Sequence, residues 1–147
     1  MTYGQLKDYF DNDTYDELLQ LYIPQFDIVD KYAALLQKGD VDNKGSCIKA
    51  LNELTGVYMD VKKIVEIVEA LKTNVELAFY VEKKRELEAK DSKFVSAAVE
   101  REASLSIAEY RRIEHIFEAY LSSTLQGIQS IQSILKALTS EYIIESK

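Results

Sequence analysis

Residues 51–81, LNELTGVYMDVKKIVEIVEALKTNVELAFYV, decide the fold of this chain. Apolar side chains recur in this stretch at steps of mostly three and four residues, at Leu51, Leu54, Tyr58, Val61, Val65, Val68, Val75 and Phe79. This spacing places them on one side of an α-helix. The pattern predicts one long helix from Ser46 to about Lys90, with Gly56 as its weakest point because glycine disfavours helix interiors.

A second long helix is predicted after a polar reversal between residues 90 and 96, where Ser92 and Ser96 are good N-cap residues. Its apolar residues follow helical spacing until the helix frays near Tyr142: Tyr110, Ile113, Phe117, Tyr120, Leu121, Ile128, Ile131, Ile134, Leu135 and Leu138. Two helices of about equal length with a short connection predict an all-α fold, built on a long antiparallel two-helix hairpin that resembles a coiled coil.

Short helices are predicted before the hairpin. Thr14 and Glu17 have the spacing of a capping box, so a helix should begin there and stop at Pro24, where a further helix opens and runs to about Lys38. Gly39 then suits a left-handed helix cap at the start of a polar loop. We predict a single domain, with N-terminal helices and a loop in residues 1–45 packed at one end of a hairpin in residues 46–147.

Composition narrows the class of protein. The net charge of −7 opposes non-specific attraction to nucleic acid or anionic lipid. Cys47 is the only cysteine, the first residues lack the basic and apolar segments of a signal peptide, and the apolar runs are far shorter than a membrane span. We therefore expect a cytoplasmic protein, of a bacterial or infected host cell, with no membrane partner.

Catalytic and metal-binding patterns are missing from the sequence. His115 is the only histidine, and there is no Gly-rich phosphate loop, no HExxH and no CxxC. The carboxylates at Glu66 and Glu69, and at Glu114 and Glu118, share helical faces, but one histidine cannot complete a di-iron set, so solvated faces explain them better. We predict a protein that is not an enzyme and has no cofactor or metal.

Basic residues concentrate around the predicted reversal. They are Lys83, Lys84, Arg85, Lys90, Lys93, Arg101, Arg111 and Arg112, with the rings of Tyr80 and Tyr110 nearby. Cations for phosphates and rings for bases are what single-strand binding uses. The alternative is a solvated, salt-bridged tip, because residues 82–102 hold six cations and six acidic residues.

Aromatic residues near the N-terminus form a second candidate site. Tyr3, Tyr9, Phe10 and Tyr15 lie in an acidic stretch, and such rings are enriched at protein interfaces. Apolar residues in 57–71 also wrap around more of the first long helix than one partner helix can bury. The sequence therefore predicts a partner-binding arm and a homo-oligomer.

The layout of residues 57–140 resembles the small helical recombination mediators of tailed phages. The resemblance rests on Tyr80-x-x-Lys83-Lys84-Arg85, a polar reversal, Val99-x-Arg101, and a Tyr110-Arg111-Arg112 helix that ends in Ile-Gln-Ser-Ile-Leu-Lys. It implies a protein that oligomerises, binds single-stranded DNA and helps to load a recombinase. It also implies phosphate contacts at Lys83, Lys84, Arg85, Lys93, Arg101, Arg111 and Arg112.

The acidic composition and the Tyr-rich N-terminal stretch favour a different class of protein. A small helical protein of net charge −7 could act by protein contact alone, as an adaptor, an assembly component or an inhibitor that occupies the basic channel of a nucleic-acid enzyme. Single-strand affinity that falls with rising salt would indicate the mediator, whereas a protein partner bound without such affinity would indicate this alternative.

Overall fold

The computed structural model describes residues 1–90 and 96–146, except for the side chain of Tyr142. Every regular element in these ranges is an α-helix, and they contain no strand. The helices are α1 (Tyr3–Asp11), α2 (Tyr15–Lys38), α3 (Lys44–Ala89), α4 (Ser96–Ser106) and α5 (Ala108–Glu145). The predicted all-α class is confirmed. None of the described helices is long and apolar enough to cross a membrane.

The predicted helix boundary at Pro24 is wrong. α2 runs unbroken through Pro24 to Lys38, and Thr14 makes no side-chain cap at its start. The Thr14 hydroxyl instead donates to the carbonyl of Tyr9, at 3.2 Å. Pro24 is exposed, so water can satisfy the carbonyl left without a donor. Burial of Tyr22 and Phe26 on either side of the proline holds α2 in one piece.

α3 begins close to the predicted position. Gly39 caps α2 with φ of 73°, a left-handed conformation that suits glycine, as predicted. The N-cap of α3 is Asn43, three residues before the predicted start at Ser46, and Asn43 and Ser46 form a capping box in which each side chain accepts from the backbone N–H of the other. α3 ends at Ala89 with Lys90 as its C-cap. Residues 91–95, to which the reversal and the Ser92 cap were assigned, lie outside the described residues.

The predicted single helix after the reversal is two helices, α4 and α5. The Ser106 hydroxyl donates to the carbonyl of Ala103 at 2.6 Å. In a continuous helix that carbonyl would accept from the N–H of Ile107, so the serine competes with the helical hydrogen bond. Ile107 lies between the helices and is fully buried.

The core lies where α1, α2, α3 and α5 meet. α3 contacts α5 more extensively than it contacts any other helix, and α4 packs against α3 beyond this core. Three interhelical contacts mark the arrangement: Leu54 with Gly127, Lys72 with Glu114, and Lys83 with Glu102. A Cβ at Gly127 would lie 3.4 Å from Leu54 Cδ1, an ordinary van der Waals distance, which places this part of α5 against α3. Gly56, in contrast, faces open space.

Candidate nucleic-acid interface

The end built from α3 and α4 carries most of the predicted phosphate-binding cations. Lys83 is partly buried and lies 3.7 Å from Glu102 on α4 and 3.9 Å from Glu86 on its own helix. The hydroxyl of Tyr80 lies 3.4 Å from that of Ser96, so this ring also joins the two helices. Both residues therefore help to hold α3 and α4 together.

Other cations at this end point into solvent. Arg85, Lys90 and Arg101 are exposed, and they take part in none of the ion pairs formed within residues 1–90 and 96–146. Lys84 is exposed too, but it interacts with another group of the chain and is not grouped with these three. Lys93 lies outside the described residues. The structure thus separates cations that pair with carboxylates from cations that an external anion could reach.

The remaining predicted residues are located at the start of α5, against the N-terminal helices. The guanidinium of Arg112 lies 2.8 Å from Glu109 and 3.1 Å from Asp16 on α2. A hydrogen bond to the Glu109 carboxylate raises the pKa of Arg112, and the bond to Asp16 raises it further. Arg111 is partly exposed and belongs to none of the ion pairs in the described ranges. Arg112 thus links α5 to α2.

Tyr110 packs within an aromatic cluster. Its ring stacks on Phe10 with centroids 4.6 Å apart and meets Tyr15 edge-on at 6.2 Å. Burial raises the pKa of Tyr110, because desolvation disfavours the phenolate. Burial, followed by a hydrogen bond to Asp13, raises the pKa of Tyr15 in the same way. A ring held between two others offers little surface for stacking with a base.

The predicted partner-binding residues differ in exposure. Phe10 is 2% exposed and belongs to the core, whereas Tyr3 is 53% exposed. Tyr9 and Tyr15 are partly buried. The structure therefore brings residues of both candidate sites, Phe10 and Tyr15 from one and Tyr110 from the other, into a single cluster between α1, α2 and α5.

Glu114 was predicted to lie on a solvated face, and this prediction is wrong. Its side chain is 5% exposed, and Glu114 Oε2 lies 2.5 Å from Lys72 Nζ on α3. Glu114 sits between Ile113 and Phe117 on the apolar side of α5, and this position is the signal that sequence reasoning missed. The pair is a buried ionic link between the two longest helices.

The side chains that could bind a metal or act as a nucleophile lie apart in the part of the chain that the structure describes. No group of three or more His, Cys, Asp or Glu side chains in these residues could hold a metal ion. Cys47 is fully buried, and burial raises its thiol pKa, which disfavours the reactive thiolate. His115 is exposed on α5.

Comparison of the chain with protein-family models, with curated proteins and with solved structures finds no match.

Proposed function

We propose that this chain is a non-enzymatic, oligomeric accessory protein that binds single-stranded DNA through its α3–α4 end, as a recombination mediator does. It would act in the cytoplasm of a bacterial or infected cell beside a recombinase. The proposal includes an antiparallel hairpin of α3 with the α4–α5 segment. Residue 54 contacts residue 127, residue 72 contacts residue 114, and residue 83 contacts residue 102. The partner numbers fall as the α3 numbers rise, which favours the antiparallel arrangement.

The exposure of Arg85, Lys90 and Arg101 carries this proposal. These side chains are outside the ion pairs of the described residues, so binding a phosphate costs them no existing salt bridge. Arginine also matches phosphate geometry with two parallel hydrogen bonds. Lys83, Arg112 and Tyr110 already contact protein groups, so we assign them structural roles and restrict the proposed contact surface to Arg85, Lys90 and Arg101.

A second candidate function is contact with a protein alone. It is supported by the ion pairs between predicted phosphate-binding cations and carboxylates of the chain. Two of the predicted cations, Lys83 and Arg112, are bound by carboxylates, and the chain has a net charge of −7. Tyr3 remains exposed beside the acidic first helices. An acidic helical surface of this kind suits a basic partner, such as the nucleic-acid channel of an enzyme.

The test is fluorescence anisotropy with a labelled single-stranded oligonucleotide. A variant with Arg85→Glu, Lys90→Glu and Arg101→Glu is compared with a control carrying Lys38→Glu, Lys49→Glu and Lys136→Glu, three exposed cations elsewhere. Both variants change the net charge equally. We expect the first to lose binding and the control to keep most of it.

Salt dependence adds a quantitative criterion. Three phosphate contacts predict a slope of about −2 for the logarithm of affinity against the logarithm of salt concentration, or roughly a 20-fold loss between 50 and 200 mM salt. No binding by the wild-type chain at low salt, or equal losses in the two variants, would reject the DNA proposal. Capture of a protein partner would then be the next measurement.

A further inference from the structure

The outward face of α3 carries a line of exposed apolar side chains. Ile48, Met59, Leu77 and Val81 are 44%, 69%, 62% and 38% exposed. Ile48, Met59, Ala70 and Val81 follow one another at intervals of eleven residues, and Ala70 is exposed too. Eleven residues make three helical turns, so these side chains stay in line over about 50 Å.

The other helices contact different sides of α3. Glu53 and Asp60 hydrogen-bond to residues of α2, at Tyr32 and Gln25. Leu54 and Lys72 face α5. The line through Met59 therefore remains uncovered by the described part of the chain, although it belongs to the longest helix of the fold.

Two opposite charges occupy the middle of this face. Lys63 and Glu66 lie between Met59 and Ala70, and their side chains are 50% and 65% exposed. If two copies of α3 pair antiparallel with Met59 of one against Ala70 of the other, the same register sets each Lys63 opposite Glu66 of the second copy. It also sets Ile48 opposite Val81. A parallel pairing in register would instead oppose Lys63 to Lys63 and Glu66 to Glu66.

We propose that a second copy of this chain docks antiparallel on the outward face of α3, about a two-fold axis between residues 64 and 65. Such an interface is self-complementary, as two-fold symmetry requires. The apolar pairs would supply burial, and the two symmetric Lys63–Glu66 pairs would fix direction and register. The same side of α3 also carries the exposed polar residues Asn52, Thr55 and Asn74. They make the interface partly polar, which suits a reversible dimer.

This proposal does not depend on DNA binding, and charge reversal tests it. Lys63→Glu and Glu66→Lys each place like charges opposite each other twice, whereas the double variant restores both attractions with exchanged signs. We expect each single variant to raise the dimer dissociation constant roughly tenfold, equivalent to about 1.4 kcal/mol, and the double variant to return within about threefold of wild type. Sedimentation equilibrium measures the constants.

Lys136→Glu is the control, because it makes the same change at an exposed position of α5. Thermal melts by circular dichroism establish that all variants are folded, since Lys63 and Glu66 also lie 4.0 Å from Asp60 and 3.5 Å from Lys62. A monomeric wild type, or a dimer that the single reversals leave unchanged, would overturn the proposal, as would a double variant as weak as the singles.

Cross-linking tests the register separately. Met59→Cys and Ala70→Cys proteins are prepared singly, mixed, and treated with a short bis-maleimide. The natural Cys47 is fully buried and should not react with the cross-linker. Helices packed at roughly 8–10 Å bring residues 59 and 70 of different copies within reach, whereas residue 59 of one copy is about 16 Å along the axis from residue 59 of the other. We expect efficient cross-linking only in the mixture. Efficient cross-linking of Met59→Cys alone would indicate a different pairing and refute the register.

Discussion

Replacing Lys72 with methionine should destabilise the protein by about 3 kcal/mol. The Lys72 and Glu114 side chains are 19% and 5% exposed, and their charged atoms lie 2.5 Å apart between α3 and α5. Methionine keeps most of the length of lysine, but it leaves the nearly buried Glu114 carboxylate without its cation. Removing one partner of a buried pair costs about 3–5 kcal/mol. Because water reaches the lysine side, we take the lower end of this range.

Glu114→Leu and the double variant complete the cycle. The leucine variant leaves an ammonium that can extend toward water, so we expect a smaller loss of about 1–2 kcal/mol. The double variant has no unpaired charge and should lie within about 1 kcal/mol of wild type, because apolar replacements of buried ion pairs are often neutral. Urea denaturation followed by circular dichroism measures all four free energies of unfolding.

The coupling energy between Lys72 and Glu114 tests whether the pair links α3 and α5 energetically. We expect the sum of the two single losses to exceed the double loss by about 3–5 kcal/mol. Losses that simply add, or a Lys72→Met loss below about 0.5 kcal/mol, would mean that the pair is not an energetic link between α3 and α5. In thermal melts, the same Lys72→Met loss corresponds to a fall in Tm of roughly 6–12 °C for a chain of this size.

A core aromatic ring, the hydrogen-bonded carboxylate of Glu53 and two glycines give three further predictions. Phe10→Ala should cost about 3–5 kcal/mol in urea denaturation because the ring is 2% exposed, whereas Tyr3→Ala, at a 53% exposed ring, should cost less than about 0.5. The hydrogen bond from Tyr32, and then that from Lys31, lowers the pKa of Glu53. A lowered pKa in the folded state stabilises the fold above the unfolded-state pKa, and this stability is lost as pH falls through the folded-state pKa. Glu53→Gln should therefore flatten the decline of Tm in acid. Gly39→Ala should destabilise by about 1 kcal/mol, since φ is 73° there, while Gly56→Ala, inside a helix with open space around it, should stabilise by up to about 1 kcal/mol in the same denaturation assay.

The first long helix was predictable because burial repeats along it. α3 was predicted over residues 46–90 and spans Lys44–Ala89, and every residue of the quoted apolar pattern is buried or partly buried. The Gly39 cap was predictable for a different reason, since few residues other than glycine adopt its conformation readily. Both predictions rest on chemistry that acts within a few residues of chain.

The missed break at Ser106 is local, since its hydroxyl donates to a carbonyl only three residues away. The other errors concern groups whose state depends on distant partners. Pro24 stays inside α2 because tertiary packing of Tyr22 and Phe26 outweighs a local break. Glu114 is buried because Lys72, from another helix, reaches it. Likewise, the charge pattern could not tell which cations pair with carboxylates: Arg112 is bound by Asp16, which lies 96 residues away in the chain. Only the folded arrangement separates the paired cations from Arg85 and Arg101.

The two proposals together constrain how a dimer could hold DNA. An antiparallel pair centred between residues 64 and 65 sends the two α3–α4 ends in opposite directions, and each Arg85 then lies about 30 Å from the two-fold axis. The two proposed contact surfaces would be about 60 Å apart, so a short oligonucleotide could reach only one of them. A strand long enough to reach both would gain affinity through effective concentration without any new contact. This gain would require the dimer, whereas the affinity for a short strand would not, so disrupting the α3 face and removing the Arg85 surface should have separable effects on binding.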